Sequence, residues 1–232
     1  MTSKENRNTE IMSFKEARRV LELYPSLSLR DKLTILARLI FCAGPIMRVL
    51  EQHLPERGLV LELGCGYGVI SHLVSAEYPD RAVIGIDISS HRIEVAEMST
   101  DHRENIEFHT ADIREVQIPR CDAILMIDVL SMLPYRDQER ILSHCYEKLY
   151  SSGILLIKDT SKSPYWKYAY AYIEEVIKAR LAVYGKEIAR HPSRYWDVQD
   201  FLKLLGKIGF HPTMIPLKSC LPYPGVFYIC QK

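Results

Sequence analysis

The stretch Glu62-Leu63-Gly64-Cys65-Gly66-Tyr67-Gly68 decides the fold of this chain, because three alternate glycines follow directly on an apolar run at 59–63. Glycine adopts left-handed backbone conformations readily and has no Cβ to keep a ligand away from the main chain. Apolar residues at helical spacing resume at 69–77, and a helix that starts there would point its free N–H groups towards that ligand. The stretch therefore predicts a buried strand, a tight ligand-binding turn and a helix.

The spacing of these glycines distinguishes between kinds of ligand. A dinucleotide-binding turn follows the pattern G-x-G-x-x-G, in which the third glycine would stand at position 69. That position is Val69, and the third glycine is Gly68, which gives G-x-G-x-G with Glu62 two residues ahead. The pattern therefore disfavours a nicotinamide or flavin site.

Apolar runs of strand length recur along the rest of the chain and alternate with stretches of helical spacing. The runs lie at 59–63, 82–87, 106–110, 123–127, 153–157 and 225–230, and the helical stretches at 69–77, 91–98, 136–149 and 198–208. Continuous apolar strands are typical of a parallel sheet that is buried on both faces. The order predicts an α/β fold with a doubly wound, mostly parallel sheet and right-handed crossovers.

Composition and charge exclude several classes of protein. The chain has 232 residues with 30 basic and 29 acidic side chains, and this balance disfavours nucleic acid as a partner. The six cysteines form no C-x-x-C pair, which disfavours zinc and redox motifs. The N-terminus lacks the apolar core of a signal peptide, and Arg38, Pro45 and Arg48 interrupt the apolar run at 33–50. We therefore expect a cytoplasmic protein without stable membrane insertion, and the sequence carries no sign of its oligomeric state.

The acid, the glycine turn and the strand order together resemble the class I S-adenosylmethionine-dependent methyltransferases of small-molecule type, over about residues 58–160. The resemblance implies a Rossmann-like sheet of seven strands and S-adenosyl-L-methionine as the cofactor. In that family the turn packs against the methionine part of the cofactor, and the preceding acid helps to hold its amino end. The matching positions here are Glu62, Gly64, Cys65, Gly66 and Gly68.

The resemblance assigns the next cofactor contact to the end of the second predicted strand. Asp87 would accept hydrogen bonds from the ribose diol, because a carboxylate offers acceptors to both hydroxyls, and Ile88 would lie beside it. The alternative is a helix cap for the following segment, which Ser89 or Ser90 could provide equally well.

Two further groups of residues match the family after the third and fourth strands. Asp112 would reach the adenine amino group and Ile113 would flank the ring, although Asp112 could instead cap a short helix. After the fourth strand, Ile127, Asp128 and Val129 would lie under the cofactor. The resemblance thus implies a cofactor site built along one edge of the sheet.

The acceptor chemistry is less specific, since methyl transfer from a sulfonium mainly requires that the acceptor be positioned in line. The Asn/Asp-Pro-Pro-Tyr/Phe motif of exocyclic and amide nitrogen methylation is missing, and residues 128–131 read Asp-Val-Leu-Ser at that place. Methylation of nucleic-acid bases and of glutamine is therefore disfavoured. Asp128 and Asp159 suggest a catechol-type metal site, but Thr160 stands where an Asn would be expected, so we predict no metal.

Four residues are candidates for a catalytic general base: Asp159, Tyr135, His191 and His72. Asp159 and Tyr135 follow predicted strand ends, His191 comes just past a helical insertion, and His72 lies one turn beyond the glycine turn. Each has a structural alternative, as a cap or turn residue for the first two and as a structural or solvated histidine for the others.

Tyrosines concentrate where the acceptor is expected. Five of the 14 lie between residues 165 and 184, within a predicted helical insertion at 161–193. In the family this segment commonly covers the acceptor, so the substrate pocket is expected to include Tyr165, Trp166, Tyr168 and Tyr172. The alternative is ordinary helix packing with exposed hydroxyls. Residues 158–194 carry eight basic and four acidic side chains, which could favour an anionic acceptor or form a solvated helix face.

We interpret residues 1–232 as a single methyltransferase domain. It would comprise an N-terminal helical lid at 1–57, a cofactor-binding core at 58–160, the helical lid insertion at 161–193, and a C-terminal helix and strands at 194–232. The predicted function is methyl transfer from S-adenosyl-L-methionine to an oxygen of an apolar, aromatic or anionic small molecule, with carbon or nitrogen as alternatives. A protein- or RNA-modifying methyltransferase and a non-catalytic cofactor-binding protein are the rival interpretations.

Overall fold

The computed structural model of the chain describes residues 14–25, 27–100, 103–162, 165–166, 168–169, 172–173, 193–217 and 224–232, and the statements below concern these residues. Within them, no helix has both the length and the apolar character needed to cross a membrane.

The described residues form one sheet of seven strands in the order β3-β2-β1-β4-β5-β7-β6. The strands are β1 (Gly58–Leu63), β2 (Arg81–Asp87), β3 (Ile106–Thr110), β4 (Cys121–Ile127), β5 (Leu149–Thr160), β6 (His211–Pro216) and β7 (Gly225–Gln231). Strands β1 to β5 pair in parallel, whereas β7 runs antiparallel to both β5 and β6. The predicted doubly wound, mostly parallel sheet is confirmed.

Helices connect the strands and cover both faces of the sheet. They are α1 (Phe14–Glu22), α2 (Leu29–Arg38), α3 (Gly44–His53), α4 (Val69–Glu77), α5 (Ser90–Met98), α6 (Tyr135–Lys148) and α7 (Val198–Ile208). A π-helical turn at Leu39–Ala43 joins α2 to α3, and a 3₁₀ turn at Leu130–Met132 precedes α6. In the predicted insertion at 161–193, residues 165, 166, 168, 169, 172 and 173 are helical, and most of the remainder lies outside the described residues.

The strands read as continuous apolar runs because their two faces are buried against different helices. On one face, Leu61 and Leu155 pack in a cluster with residues of α6 and α7, among them Leu142 and Phe201. On the other face the cluster is built from α3, α4 and α5 together with alternate strand residues: Val60, Leu125, Leu156, Leu50, Val74 and Ile93. The alternation along each strand thus decides which side chains reach which layer.

The N-terminal helices lie against the region of the glycine turn. Tyr24 and Leu39 are buried in a third apolar cluster, which also includes Val95 of α5 and contacts Tyr67 within the turn. The hydroxyl of Ser28 caps α2 by accepting a hydrogen bond from the backbone N–H of Asp31. This position is compatible with the expected lid, which stays a prediction.

The sequence pattern alone located six of the seven strands. It did not locate β6, because Pro212 and Pro216 interrupt the apolar run there. Proline lacks a backbone donor and is tolerated at the edge of a sheet, and β6 is an edge strand that pairs only with β7 in the described sheet. Strand β5 is also longer than expected, since it begins at Leu149 and continues through Lys158 to Thr160.

Candidate functional site

The carboxyl ends of the parallel strands bring the predicted acids to one edge of the sheet. Leu63 at the end of β1 pairs with Ile86 of β2, and Ile127 at the end of β4 pairs with Lys158 of β5. Since these strands run in the same direction, the residues that follow them lie along a common rim. Ligands of open α/β sheets bind at this rim.

The glycine turn is closed on one side and open on the other. Gly64, Gly66 and Gly68 have φ angles of 79°, 56° and 72°, which favour glycine. A Cβ on Gly64 would come within 2.4 Å of Val129, and a Cβ on Gly68 within 2.4 Å of the ring of Phe108. A Cβ on Gly66 would meet nothing within 4 Å, so space for a ligand lies directly over the middle of the turn.

Asp87 fixes the open part of the turn. Its Oδ2 accepts a hydrogen bond of 2.9 Å from the backbone N–H of Gly66, and its Oδ1 accepts one of 2.9 Å from the N–H of Ser89. The cap of α5 is Ser89, whose hydroxyl accepts from the N–H of Arg92, so Asp87 is not needed as a cap. Each carboxylate oxygen has a second lone pair, and the side chain can still accept hydrogen bonds from a ribose diol.

Glu62 and Cys65 flank the start of the turn. Glu62 is buried and accepts a hydrogen bond from the hydroxyl of Ser71, which ties β1 to α4. The backbone N–H of Cys65 donates to the carbonyl of Ile86 at 3.0 Å. Burial raises the pKa of the Cys65 thiol far above its usual range, so the thiol is not a nucleophile at neutral pH. Ser71 was not anticipated from the sequence, since a serine inside a helix carries no local signal of its partner.

Asp112 lies in a turn after β3 and is paired with Arg114. Hydrogen bonds from the Arg114 side chain lower the pKa of the Asp112 carboxyl. The Oδ1 of Asp112 also accepts a hydrogen bond of 2.9 Å from the backbone N–H of Arg114, and its carbonyl accepts one from the N–H of Val116, so Asp112 caps the turn at 113–115 as the alternative interpretation expected. Ile113 is buried against the sheet, whereas Ile88 after β2 is 61% exposed. The adenine contacts of these residues stay predictions.

Asp128 follows β4 and forms an ion pair that the sequence did not suggest. Its Oδ1 lies 2.5 Å from the Nζ of Lys158, the β5 residue that pairs with Ile127. Next to it, Val129 fills the space beneath Gly64. Ile127 is buried in the sheet, so all three residues predicted to lie under the cofactor are adjacent to the glycine turn or to its supporting strand.

Asp159 is held at the end of β5. Its Oδ2 accepts a hydrogen bond of 3.1 Å from the N–H of Ser131, and its Oδ1 accepts one of 2.7 Å from the N–H of Thr160. Burial and the neighbouring charge of Asp128 raise the pKa of Asp159 to about 7. A carboxyl with such a pKa changes its protonation state near neutral pH, as a general base requires.

The structure does not bring the other candidate bases into a comparable position. His72 is 2% exposed and packs between Tyr24 and Phe108, with its Nε2 2.6 Å from the hydroxyl of Ser99. Burial lowers the pKa of His72 to about 4, so it is neutral and inside the core. The hydroxyl of Tyr135 donates to the carbonyl of Tyr195 at 3.0 Å. His191 lies outside the described residues.

Aromatic residues of the insertion, which follows β5 in the chain, contact one another. The rings of Tyr165, Tyr168 and Tyr172 follow one another with centroid distances of 6.1 and 6.0 Å. Tyr168 also packs edge-on against Tyr195, and Tyr165 and Trp166 are 76% and 62% exposed. Their predicted contact with a substrate stays a prediction.

The open turn and the acceptor oxygens at this rim are suited to an organic ligand that carries hydroxyl groups. Among the described residues, no group of three His, Cys, Asp or Glu side chains could hold a metal ion. The open space over Gly66 leaves room for a ligand, and Asp87 has further acceptor capacity for the predicted ribose contact with S-adenosyl-L-methionine.

Comparisons with known proteins find a family match that includes the glycine turn. Residues 60–153 match a family described as the methyltransferase domain. A carboxy-S-adenosyl-L-methionine synthase of Psychrobacter arcticus is 30% identical over 105 residues, which cover 43% of this chain and 40% of the relative. A malonyl-[acyl-carrier protein] O-methyltransferase of Ilyobacter polytropus is 23% identical over 173 residues, which cover 67% of this chain and 66% of the relative. The matched regions thus span two fifths to two thirds of these relatives.

A solved structure shows the same fold. The magnesium protoporphyrin IX methyltransferase of Synechocystis, with bound S-adenosylhomocysteine, superposes with a TM-score of 0.63 at 17% identity and covers 93% of each chain. The matched family region contains the glycine turn, and the solved structure shares the fold of the described sheet. Residues 60–153 thus match the methyltransferase domain, and the described sheet has the fold of a class I S-adenosylmethionine-dependent methyltransferase.

Proposed function

We propose that the protein transfers the methyl group of S-adenosyl-L-methionine to an oxygen of a small-molecule acceptor. The observation that carries the proposal is the preformed turn, in which Asp87 holds the Gly66 N–H and the space over Gly66 is open. A turn that is shaped before the ligand binds loses little conformational entropy on binding. The family match over residues 60–153 supports the cofactor, and the geometry of the turn supports its use by this chain.

The residues of the rim would orient the two reactants. Bound S-adenosyl-L-methionine supplies both the methyl group and the leaving group. Glu62 would hold the amino end of the cofactor, Asp87 its ribose, and Asp112 with Ile113 its adenine. Val129 supports Gly64 from below and keeps the turn in place. With the cofactor fixed in this way, the acceptor would enter from the ends of β4 and β5, where Asp128 and Asp159 lie.

Asp159 is our candidate for the base that receives the acceptor's proton. Its pKa of about 7 allows it to be ionised under mildly alkaline conditions and to take up a proton from a hydroxyl. The N–H groups of Ser131 and Thr160 fix the orientation of its carboxyl group. Tyr135 donates its proton to the Tyr195 carbonyl and His72 is enclosed in the core, so neither is part of the proposal.

The exposed aromatic residues that follow β5 in the chain support a class of acceptor. Exposed aromatic rings of Tyr165, Trp166 and Tyr172 would cover an apolar or aromatic molecule. The Ilyobacter relative is named for O-methylation of a malonyl group on a carrier protein, and this supports an oxygen as the methylated atom. The basic excess of residues 158–194 is consistent with an anionic group on that acceptor.

The test combines binding with product identification. Titration calorimetry should detect binding of S-adenosyl-L-methionine to the full chain, and Asp87→Ala should weaken it by about tenfold or more, as one lost charge-assisted contact requires. Asp80→Ala is the matched control, since this exposed acid precedes β2 at the opposite edge of the sheet. Labelled cofactor and a metabolite extract, followed by mass spectrometry, should give an O-methylated small molecule. A chain that binds no cofactor would refute the proposal.

A further inference from the structure

Asp128 has a backbone conformation that needs support. Among the described residues it is the one residue other than glycine with a positive φ, at 57°. A Cβ makes this region unfavourable, and although aspartate adopts it more often than most residues, the conformation still costs free energy that its surroundings must offset. Strained residues of this kind concentrate at functional sites, and Asp128 lies at the rim between the glycine turn and β5.

Lys158 makes two different contacts with Asp128. The Nζ of Lys158 lies 2.5 Å from Oδ1 of Asp128, and the carbonyl of Lys158 accepts a hydrogen bond of 2.9 Å from the Asp128 N–H. The lysine side chain is only 14% exposed and the aspartate side chain 33%, so the pair is partly shielded from solvent. Shielding strengthens an ion pair relative to one on the open surface. One β5 residue thus holds both the backbone and the side chain of Asp128.

The conformation of Asp128 determines where the next residue goes. Val129 follows directly and occupies the space beneath Gly64, where a Cβ on the glycine would approach the Val129 methyl group to 2.4 Å. Gly64 in turn begins the glycine turn, with its N–H bonded to the Ile86 carbonyl at 2.7 Å. A change at Asp128 would therefore move the support of the turn, although Asp128 and Gly64 belong to different strand ends.

We propose that Lys158 is a positioning residue, which holds Asp128 in its left-handed conformation and thereby keeps Val129 under the glycine turn that binds the cofactor. The inference rests on the proposed function, because it assigns Lys158 an effect on cofactor affinity. Lys158 acts through Asp128 and does not itself touch the cofactor. The sequence did not predict this role, because a lysine directly after the apolar run at 153–157 is typical of the end of a strand.

The experiment uses the fact that glycine adopts the left-handed conformation without a clamp. Affinity for S-adenosylhomocysteine is measured by calorimetry for the full chain and for Lys158→Met, Asp128→Gly and the double variant. Lys158→Met should weaken binding by about tenfold, and Lys158→Arg should restore it to within about threefold. In the Asp128→Gly background, Lys158→Met should cause no further loss, because the residue through which it acts no longer needs support. Lys162→Met, at an exposed lysine just after β5, is the matched control and should bind like the wild type.

Two results would overturn the inference. One is an unchanged affinity of Lys158→Met, and the other is an equal loss in the wild-type and Asp128→Gly backgrounds, which would mean that Lys158 contacts the ligand directly. A wild-type chain that does not bind S-adenosylhomocysteine would instead refute the proposed function. The thermal midpoints of the same four proteins would then decide the inference, since the midpoint loss from Lys158→Met should disappear in the Asp128→Gly background.

Discussion

The two halves of the rim at the carboxyl ends of the strands are held together by different interactions. In the half formed by β1 and β2, hydrogen bonds of backbone groups hold the turn. The N–H groups of Gly64 and Cys65 donate to the Ile86 carbonyl, and Asp87 accepts from the N–H of Gly66. In the half formed by β4 and β5, charged side chains hold one another, with Lys158 on Asp128 and the buried carboxyl of Asp159 beside them. The shape of the first half is therefore set by backbone geometry, whereas the arrangement of the second half depends on the charges of its side chains.

This difference matches the division of labour that we propose. The cofactor is common to the whole family, and a site for it can be made of backbone geometry, which few substitutions alter. The acceptor differs from one family member to another, and side chains at β4 and β5 can vary without disturbing the sheet. The comparison predicts that damage to the first half is steric and large, while damage to the second half depends on pH and is smaller.

The largest effect should come from closing the glycine turn. Gly64→Ala adds left-handed strain and a Cβ that meets Val129, so it should lower the free energy of unfolding by about 3 kcal/mol and abolish cofactor binding. Gly66→Ala adds the strain alone, since its Cβ would meet nothing, and should cost about 1 kcal/mol while still weakening binding. Chemical denaturation and calorimetry measure both quantities.

Gly206→Ala is the matched control for these variants. Gly206 lies inside α7, a Cβ there would meet nothing within 4 Å, and its φ is not positive. The substitution should raise the free energy of unfolding by about 0.5–1 kcal/mol, because alanine favours the helix interior. Equal losses for Gly64→Ala and Gly66→Ala would contradict the packing of Val129 beneath the turn.

The first half of the rim could be predicted from the sequence because its signals are local. Glycine spacing, an apolar run and a helical pattern lie within about 20 residues of one another. Strand β3 and helices α4 and α7 also begin and end where the pattern predicts. The resemblance supplied the seventh strand, which the prolines of β6 concealed.

The second half could not be predicted because its contacts join residues that are far apart in the chain. Lys158 and Asp128 are 30 residues apart, and only the register of β4 with β5 brings them together. The raised pKa of Asp159 likewise depends on its burial and on the charge of Asp128, which no local pattern reports. His72 was misleading for the opposite reason, since its position after the glycine turn suggested the site, but α4 turns it into the core.

A smaller effect should appear in the pH dependence of stability, to which Asp159 and His72 contribute with opposite signs. Asp159 has its pKa raised from 3.8 to about 7, so its contribution to stability is complete below pH 3.8 and is lost as the pH rises towards 7. His72 has its pKa lowered from 6.5 to about 4, so its contribution is complete above pH 6.5 and is lost as the pH falls towards 4. Between about pH 4 and 6.5 the two slopes, each as much as about 1.4 kcal/mol per pH unit, oppose each other.

Single substitutions should separate the two slopes. Denaturant titrations between pH 4.5 and 6.5 should show that Asp159→Asn becomes more stable as the pH rises, because the His72 contribution then acts alone. His72→Gln should become less stable over the same range, because the Asp159 contribution then acts alone. A pH profile of Asp159→Asn parallel to that of the wild type would show that Asp159 is ionised in the folded protein throughout this range, contrary to its burial.

The smallest effect should follow from Tyr135→Phe, which removes a hydroxyl and leaves the ring in place against Trp196. The lost hydrogen bond to the Tyr195 carbonyl should lower the free energy of unfolding by about 1 kcal/mol. Tyr150→Phe, at a tyrosine that is 43% exposed on β5, should change it by less than about 0.5 kcal/mol. Because the Tyr135 proton is committed to a carbonyl, methyl transfer by the variant should keep the wild-type pH profile. Ionisation of Asp159 should make the rate of methyl transfer rise near pH 7. If Tyr135→Phe lost this rise and Asp159→Asn kept it, the general base would be Tyr135 at the start of α6 and not Asp159.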